Sequence, residues 1–316
     1  MRICNAVSIS EALSIPDGGG SGHIITVHND YINIFTEGRL LALFRSGNAS
    51  LPFGIEVDCK QKWPSIGLAE KQSVHCLPNR IVIEDLLVID SLQQCPQFSC
   101  KLDTANLHSR EELLQRLHKL YEACLGSDKS GGIMDRLGSF DLKRLHMGNK
   151  PQNGLIQERV QQQVEALING VLTNNDYLIA EGVCSLLGLG PGLTPSGDDF
   201  LLAFLSGLMH VQSEYCHSAA TKMANHMLVN CPRLTTLVSV EYIRYGVKGL
   251  YHQGISELIA AFTRGTEEEL LIKAQQVLTL GHFSGTDLLL GFIYGSSTAL
   301  HLRTAAEETG GRYEKI

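Results

Sequence analysis

Ser196-Gly-Asp-Asp-Phe-Leu-Leu-Ala-Phe-Leu-Ser-Gly207 aligns without a gap on Ser284-Gly-Thr-Asp-Leu-Leu-Leu-Gly-Phe-Ile-Tyr-Gly295. Serine meets serine, Asp199 meets Asp287, Phe204 meets Phe292 and Gly207 meets Gly295. The likeness does not extend upstream, so a repeating solenoid is not implied. Each copy opens S-x-x-D, the pattern in which a serine hydroxyl accepts from a first-turn amide and an acidic side chain reaches back to the cap. Both copies then become apolar all round, which predicts two buried helices at the centre of a helical domain. Ala203 with Gly207, and Gly291 with Gly295, place small residues four apart on one face, so the two backbones can approach closely with their N-termini presenting equivalent groups.

The first copy is preceded by Gly188-Leu-Gly-Pro-Gly-Leu-Thr-Pro195. Glycines and prolines at this density predict a compact loop whose amides turn inward beside the helix N-terminus, an arrangement suited to a phosphate or carboxylate. Asp198 and Asp199 bring carboxylates to the same place. Adjacent helical residues diverge by about 100°, so one is expected to hold the loop or the second helix while the other faces a ligand. A carboxylate beside phosphate needs a proton, a donor or a cation such as Mg²⁺; the alternative is that it accepts from an amide or amino group of the substrate.

Outward from this core, the chain divides. Six short β-rich runs occupy the first hundred residues: His23–His28, Tyr31–Phe35, Arg39–Phe44, Phe53–Val57, Arg80–Glu84 and Leu86–Asp90. Their close spacing predicts antiparallel pairing in a barrel or sandwich. From Ser109 the period becomes helical, with helices expected at 111–121, 158–172, 177–187, 196–211, 214–228, 234–251, 257–262, 267–280 and 284–302. Residues 126–154, rich in Gly, Ser, Asp and Asn, read as a linker or an active-site loop with a short helix at 141–146. The fold class is therefore α+β: an N-terminal antiparallel β barrel or sandwich (1–106), a helix and Gly-rich connecting loop (107–156) and a C-terminal all-helical domain (157–316).

The chain of 316 residues carries a formal charge of −7, and no Lys/Arg stripe interrupts it, so nucleic acid is not an expected partner. Its 31 glycines are a mild excess, concentrated where the two repeated helices begin. Nine cysteines without a C-x-x-C pair read as reduced thiols, and twelve histidines without H-E-x-x-H spacing assign no metal ligand. The longest apolar run, Phe200–Val211, is too short to span a membrane. Met1–Ser10 lacks the pattern of a secretory leader, so a cytoplasmic protein is expected.

The run Gly188–Phe204 resembles the signature of the AllH-like family, which includes a subunit of the oxamate carbamoyltransferase of allantoin catabolism. Ser239-Val-Glu-Tyr-Ile-Arg-Tyr-Gly-Val-Lys-Gly249 and Gly281-His-Phe-Ser-Gly-Thr-Asp-Leu-Leu-Leu-Gly291 resemble its later segments. The resemblance implies a carbamoyltransferase with partner subunits: oxalurate and phosphate give carbamoyl phosphate and oxamate. Self-association is a further expectation, and no cofactor is expected, with Mg²⁺ left as the open alternative. Asp198, Asp199, His282 and Asp287 are the expected catalytic groups. Gly190, Gly192, Thr194, Ser196, Gly197, Ser284, Gly285, Thr286 and Arg244 are the expected ligands of small anionic substrates. Alternatives stay open. Asp198, Asp199 and Asp287 could instead hold a metal in a hydrolase or phosphoryl-transfer enzyme, or the repeat could serve folding alone in a scaffold subunit. His282 could carry a proton or fill the turn before a cap, and Arg244 could fork onto a substrate or pair with Glu241. Arg45-Ser-Gly-Asn48 is either a loop for a cleft or a hairpin turn.

Overall fold

The computed structural model describes residues 1–15, 19–128, 132–137, 139–142, 144–148 and 154–310, excepting the side chains of 146, 154–157 and 303–310. Part of the Gly-rich segment read as a linker or active-site loop lies outside the described residues. The chain forms two compact units, one of Met1–Lys101 with Leu250–Gln253, the other of Leu102–Gly249 with the described residues from Gly254 onward.

The first unit is an eight-stranded closed barrel. Its strands are β1 (Arg2–Ser10), β2 (Gly20–Val27), β3 (Tyr31–Thr36), β4 (Arg39–Arg45), β5 (Gly54–Val57), β6 (Ser73–Leu77), β7 (Arg80–Ile83) and β8 (Leu87–Asp90), with a short β9 (Gln97–Phe98) beside β1. The order β5-β4-β3-β2-β6-β7-β8-β1 closes through antiparallel pairing of β1 with β5, at Ala6 with Val57 and Ile9 with Ile55. Closure removes the exposed edges that an open sheet of this length would present. Period-two alternation points Ile32 and Ile34, Leu41 and Leu43, Ile55 and Val57, and Ile81 and Ile83 into one core with Trp63.

The structure corrects three sequence expectations in this unit. Strands β1 and β6 lie outside the six expected runs, because their inward positions include Cys4, Ala6 and Cys76, small side chains that carry little β signal. Pairing is not wholly antiparallel: β4–β5 and β1–β8 are parallel. The turn at Arg45–Asn48 is consequently no hairpin but the start of a crossover to a parallel neighbour. Arg45 anchors it, donating to Asp30 and to the carbonyls of Cys59 and Lys60.

The second unit holds nine α-helices among the described residues: α1 (Arg110–Leu125), α2 (Gly154–Leu172), α3 (Asp176–Leu186), α4 (Ser196–Met209), α5 (Glu214–Leu234), α6 (Leu237–Gly246), α7 (Gln253–Arg264), α8 (Glu267–Leu278) and α9 (Ser284–Gly310). The expected helix at 141–146 is instead a small hairpin, β10 (Phe140–Asp141) with β11 (His146–Met147). The expected helix at 234–251 is shorter, because Thr236 starts α6 by accepting from the Ser239 amide, while α5 runs on through Pro232 to Leu234.

Helices α4 and α9 form the centre of this unit, as their apolar circumference requires. Phe200, Phe204, Phe292, Ile293 and Tyr294 are buried, and α1, α2, α3, α5, α6 and α8 pack around the pair. Gly291 abuts Phe200, Gly295 abuts Phe204 and Gly207 abuts Ser296, so the two helices run parallel, backbone against backbone, with their N-termini at the same end.

Candidate functional site

The site is built where the two parallel helices begin. Leading into α4, Gly188, Gly190 and Gly192 take positive φ values of 73°, 111° and 102°. Gly188 also lies against the Leu234 carbonyl with no room for a β-carbon, so the loop needs glycine there for conformation and space alike. Gly197 and Gly285, equivalent in the repeat, press on the carbonyls of Leu186 and Val277 near the ends of the preceding helices.

Asp198 holds this loop. One carboxylate oxygen accepts from the Gly188 amide at 2.7 Å and the other from the Thr235 hydroxyl, while the Thr236 hydroxyl donates to the Leu193 carbonyl. The loop is thus tied at both ends to the α5–α6 junction. Burial raises the Asp198 pKa, and the hydrogen bonds from Thr235 and Gly188 oppose that rise.

The two S-x-x-D segments do not form the expected cap boxes. In α4 the cap position belongs to Pro195, whose carbonyl accepts from the amides of both Asp198 and Asp199. Ser196 therefore stands one residue inside the helix, and each segment partners the other across the helix pair. The Ser284 hydroxyl of α9 lies beside Asp199 of α4 and lowers its pKa, and the Ser196 hydroxyl of α4 does the same to Asp287 of α9. The hydroxyls of Thr194 and Ser284 meet at 3.2 Å and bridge the two tips, and Thr194 also reaches Asp199.

Both carboxyls are deeply buried, Asp199 at 7% exposure and Asp287 at 0%. Burial drives the Asp199 pKa well above the ordinary carboxylate range; the hydroxyl of Ser284 opposes this, and the nearby charges of Asp287 and Asp198 add to it. Burial likewise raises Asp287 to about 6, against hydrogen bonds from Ser196 and from the Ile133 amide, which donates to Oδ1 at 2.7 Å. Burial thus favours the protonated form of both carboxyls, and of Asp199 the more strongly. Asp199 Oδ2, Asp287 Oδ2 and Thr286 Oγ1 are buried with no hydrogen-bond partner.

The other candidate residues lie around or away from this pair. Gly192 is exposed, Thr194 and Ser284 are half-buried, and together they form the rim. His282 is exposed, with its ring 4.2 Å from that of Phe283. Arg244 lies on α6, where its guanidinium pairs with the buried Glu241 at 3.2 Å. Asp198 turns to Gly188 and Thr235, and no cluster of three or more His, Cys, Asp or Glu groups suited to a metal occurs among the described residues. The three aspartates are thus not assembled as a ligand set. The Gly132–Ile133 contact with Asp287 had no sequence signal, because its donor is a main-chain amide. A groove of about 640 Å³ along α1 and the β10 hairpin, lined by Glu111, His118, Lys119 and Phe140, is separate from these residues.

Two family models match the chain. Residues 186–296 match a model described as oxamate carbamoyltransferase subunit AllH, and residues 5–97 match the AllH family N-terminal domain. The first match contains the whole of α4, the loop before it and the start of α9; the second spans nearly all of the barrel. No solved structure matches the chain. No described helix is long and apolar enough to cross a membrane, and all nine cysteines are free.

Proposed function

Since the chain belongs to the AllH family, we propose that it serves as a subunit of an oxamate carbamoyltransferase and that the convergent tips of α4 and α9 are its contribution to the reaction. The reaction is phosphate-dependent cleavage of oxalurate to carbamoyl phosphate and oxamate in ureide breakdown, or its reverse. The observation that carries this reading is the buried pair Asp199 and Asp287, cross-partnered by Ser284 and Ser196 at two helix N-termini inside the segment that matches the family model.

The chemistry follows from that pair. Two parallel helices direct the positive ends of their dipoles to one place, which favours anionic reactants and the oxyanion of a tetrahedral carbamoyl centre. A charged carboxylate there would oppose those anions. Burial favours the protonated form of Asp199, which removes the conflict and places an O–H donor where negative charge develops. The half-exposed Thr194 and Ser284 supply further hydroxyl donors at the rim. Holding carbamoyl donor and acceptor together in this setting lowers the barrier by placement as well as by charge stabilisation.

The assembly that copurifies with the chain from its native host is expected to cleave oxalurate only when phosphate is supplied, with carbamoyl phosphate as product. Asp199→Asn, assembled in the same way, is expected to lower turnover by about 100-fold, the scale for removing one donor from an oxyanion site. Full turnover in that variant would make this chain a scaffold. Loss of turnover on chelation, with recovery on adding Mg²⁺, would favour metal chemistry instead.

A further inference from the structure

Asp287 already holds an amide. Its Oδ1 accepts from the main-chain N–H of Ile133 at 2.7 Å, and Gly132 comes so close to the same carboxylate that no side chain fits at that position. This bond fixes which way the carboxylate faces, leaving Oδ2 as a second acceptor that is fully buried and without a donor. Across the helix pair, Asp199 also has one buried oxygen without a partner. Beside the pair stand the hydroxyls of Thr194 and Ser284, 3.2 Å apart and half-buried, both of which lower the pKa of Asp199.

We propose that Asp287 Oδ2 and Asp199 form a recognition site for the primary amide edge of the ligand, Asp287 accepting from its NH₂ and Asp199 meeting its carbonyl. Asp287 Oδ2 is an acceptor without a donor, and the main-chain group that Asp287 already holds is an amide, so the complementary ligand brings an N–H donor to it. A second carboxylate in the amide's position would set oxygen against Asp287 Oδ2. An amide sets a donor there and turns its carbonyl to Asp199, whose protonated form burial favours, so the two side chains match both halves of the amide. This inference rests on the carbamoyltransferase reading and deepens it, because oxamate differs from oxalate by carrying an amide in place of one carboxylate.

The test compares oxamate with oxalate by calorimetric titration at pH 7, using the full chain and the copurified assembly. Oxamate is expected to bind about tenfold or more tightly than oxalate, the scale for one hydrogen bond to a charged group. In Asp287→Asn the side-chain oxygen stays on the Ile133 amide and the new NH₂ replaces Oδ2, so a donor meets the ligand's donor. That variant is expected to lose the preference or reverse it while keeping a single cooperative melting transition. Equal binding of both ligands by the wild-type chain, or an unchanged preference in Asp287→Asn, overturns amide recognition and leaves the transferase reading standing. Binding of neither ligand to chain or assembly overturns both. The wild-type comparison stands without the variant, so a folding defect in Asp287→Asn leaves the proposal open to refutation.

Discussion

Replacing Gly207 by alanine tests whether backbone contact between α4 and α9 organises the helical unit. A β-carbon built on Gly207 would lie 2.6 Å from the Ser296 amide nitrogen, 2.8 Å from the Phe292 carbonyl oxygen and 2.9 Å from the Gly295 carbonyl carbon. All three are main-chain atoms of α9, so no side-chain rotation can relieve the clash. Ordinary contact begins near 3.4 Å; the helices must therefore part by about 0.8 Å where they are closest. Parting them loosens the packing of Phe204 and Phe292 on either side. Overpacking of a rigid core costs about 1–3 kcal/mol, with contact against backbone at the upper end. Alanine returns about 1 kcal/mol through helix propensity. The expected net loss is about 2 kcal/mol, or a fall in Tm of roughly 4–8 °C for a unit of this size. Urea unfolding followed by circular dichroism measures it. Gly126→Ala is the control, because its φ is −79° and its β-carbon would meet nothing closer than 3.5 Å, so it should leave stability unchanged or raise it. A Gly207→Ala variant within about 0.5 kcal/mol of wild type would refute the close-approach argument.

Two predictions concern pH. Asp287 keeps its proton up to about 6 in the folded chain but releases it near 3.8 when unfolded. Over that window the native state binds more protons, so this group's contribution to unfolding free energy falls as pH rises, by roughly 3 kcal/mol in all; denaturant titrations from pH 4 to 7 should show the stability of Asp287→Asn rising by about that amount relative to wild type. His210 acts oppositely, because burial lowers it to about 4 and its Nε2 lies buried without a partner while Nδ1–H donates to the Gly207 carbonyl. The unfolded chain binds the proton first, so this histidine withdraws roughly 3 kcal/mol of stability as pH drops from about 6.5 to about 4, offsetting Asp287 in wild type, and His210→Gln should gain that much relative to wild type in the same titrations.

How far the sequence reaches is clearest at the repeat. Ser196–Gly207 and Ser284–Gly295 carry in their composition alone the statement that both helices are buried and can approach closely, because a helix without a polar face has nowhere else to go. The alternating runs at Tyr31–Phe35 and Arg39–Phe44 likewise announce strands through period two. Closure of the barrel was not legible, because it depends on β1, whose inward Cys4 and Ala6 are too small to mark a strand, and on a parallel crossover after Arg45 that no local signal encodes. At the candidate site, the residue types were legible and their partners were not. S-x-x-D spells a local cap, a pairing of residues three apart, whereas the folded chain pairs each aspartate with a serine some 90 positions away.

By itself, then, the sequence determined which helices are central, where their glycines permit contact, and which polar groups open them, since periodicity and residue size act locally along the chain. Only the tertiary structure decided that the two openings meet. Parallel packing of α4 and α9 brings Asp199 beside Asp287, excludes water from both and sets the Ile133 amide on one carboxylate. Those contacts belong to no single stretch of residues, and the chemistry of two neighbouring buried carboxyls exists only once long-range packing has enforced them.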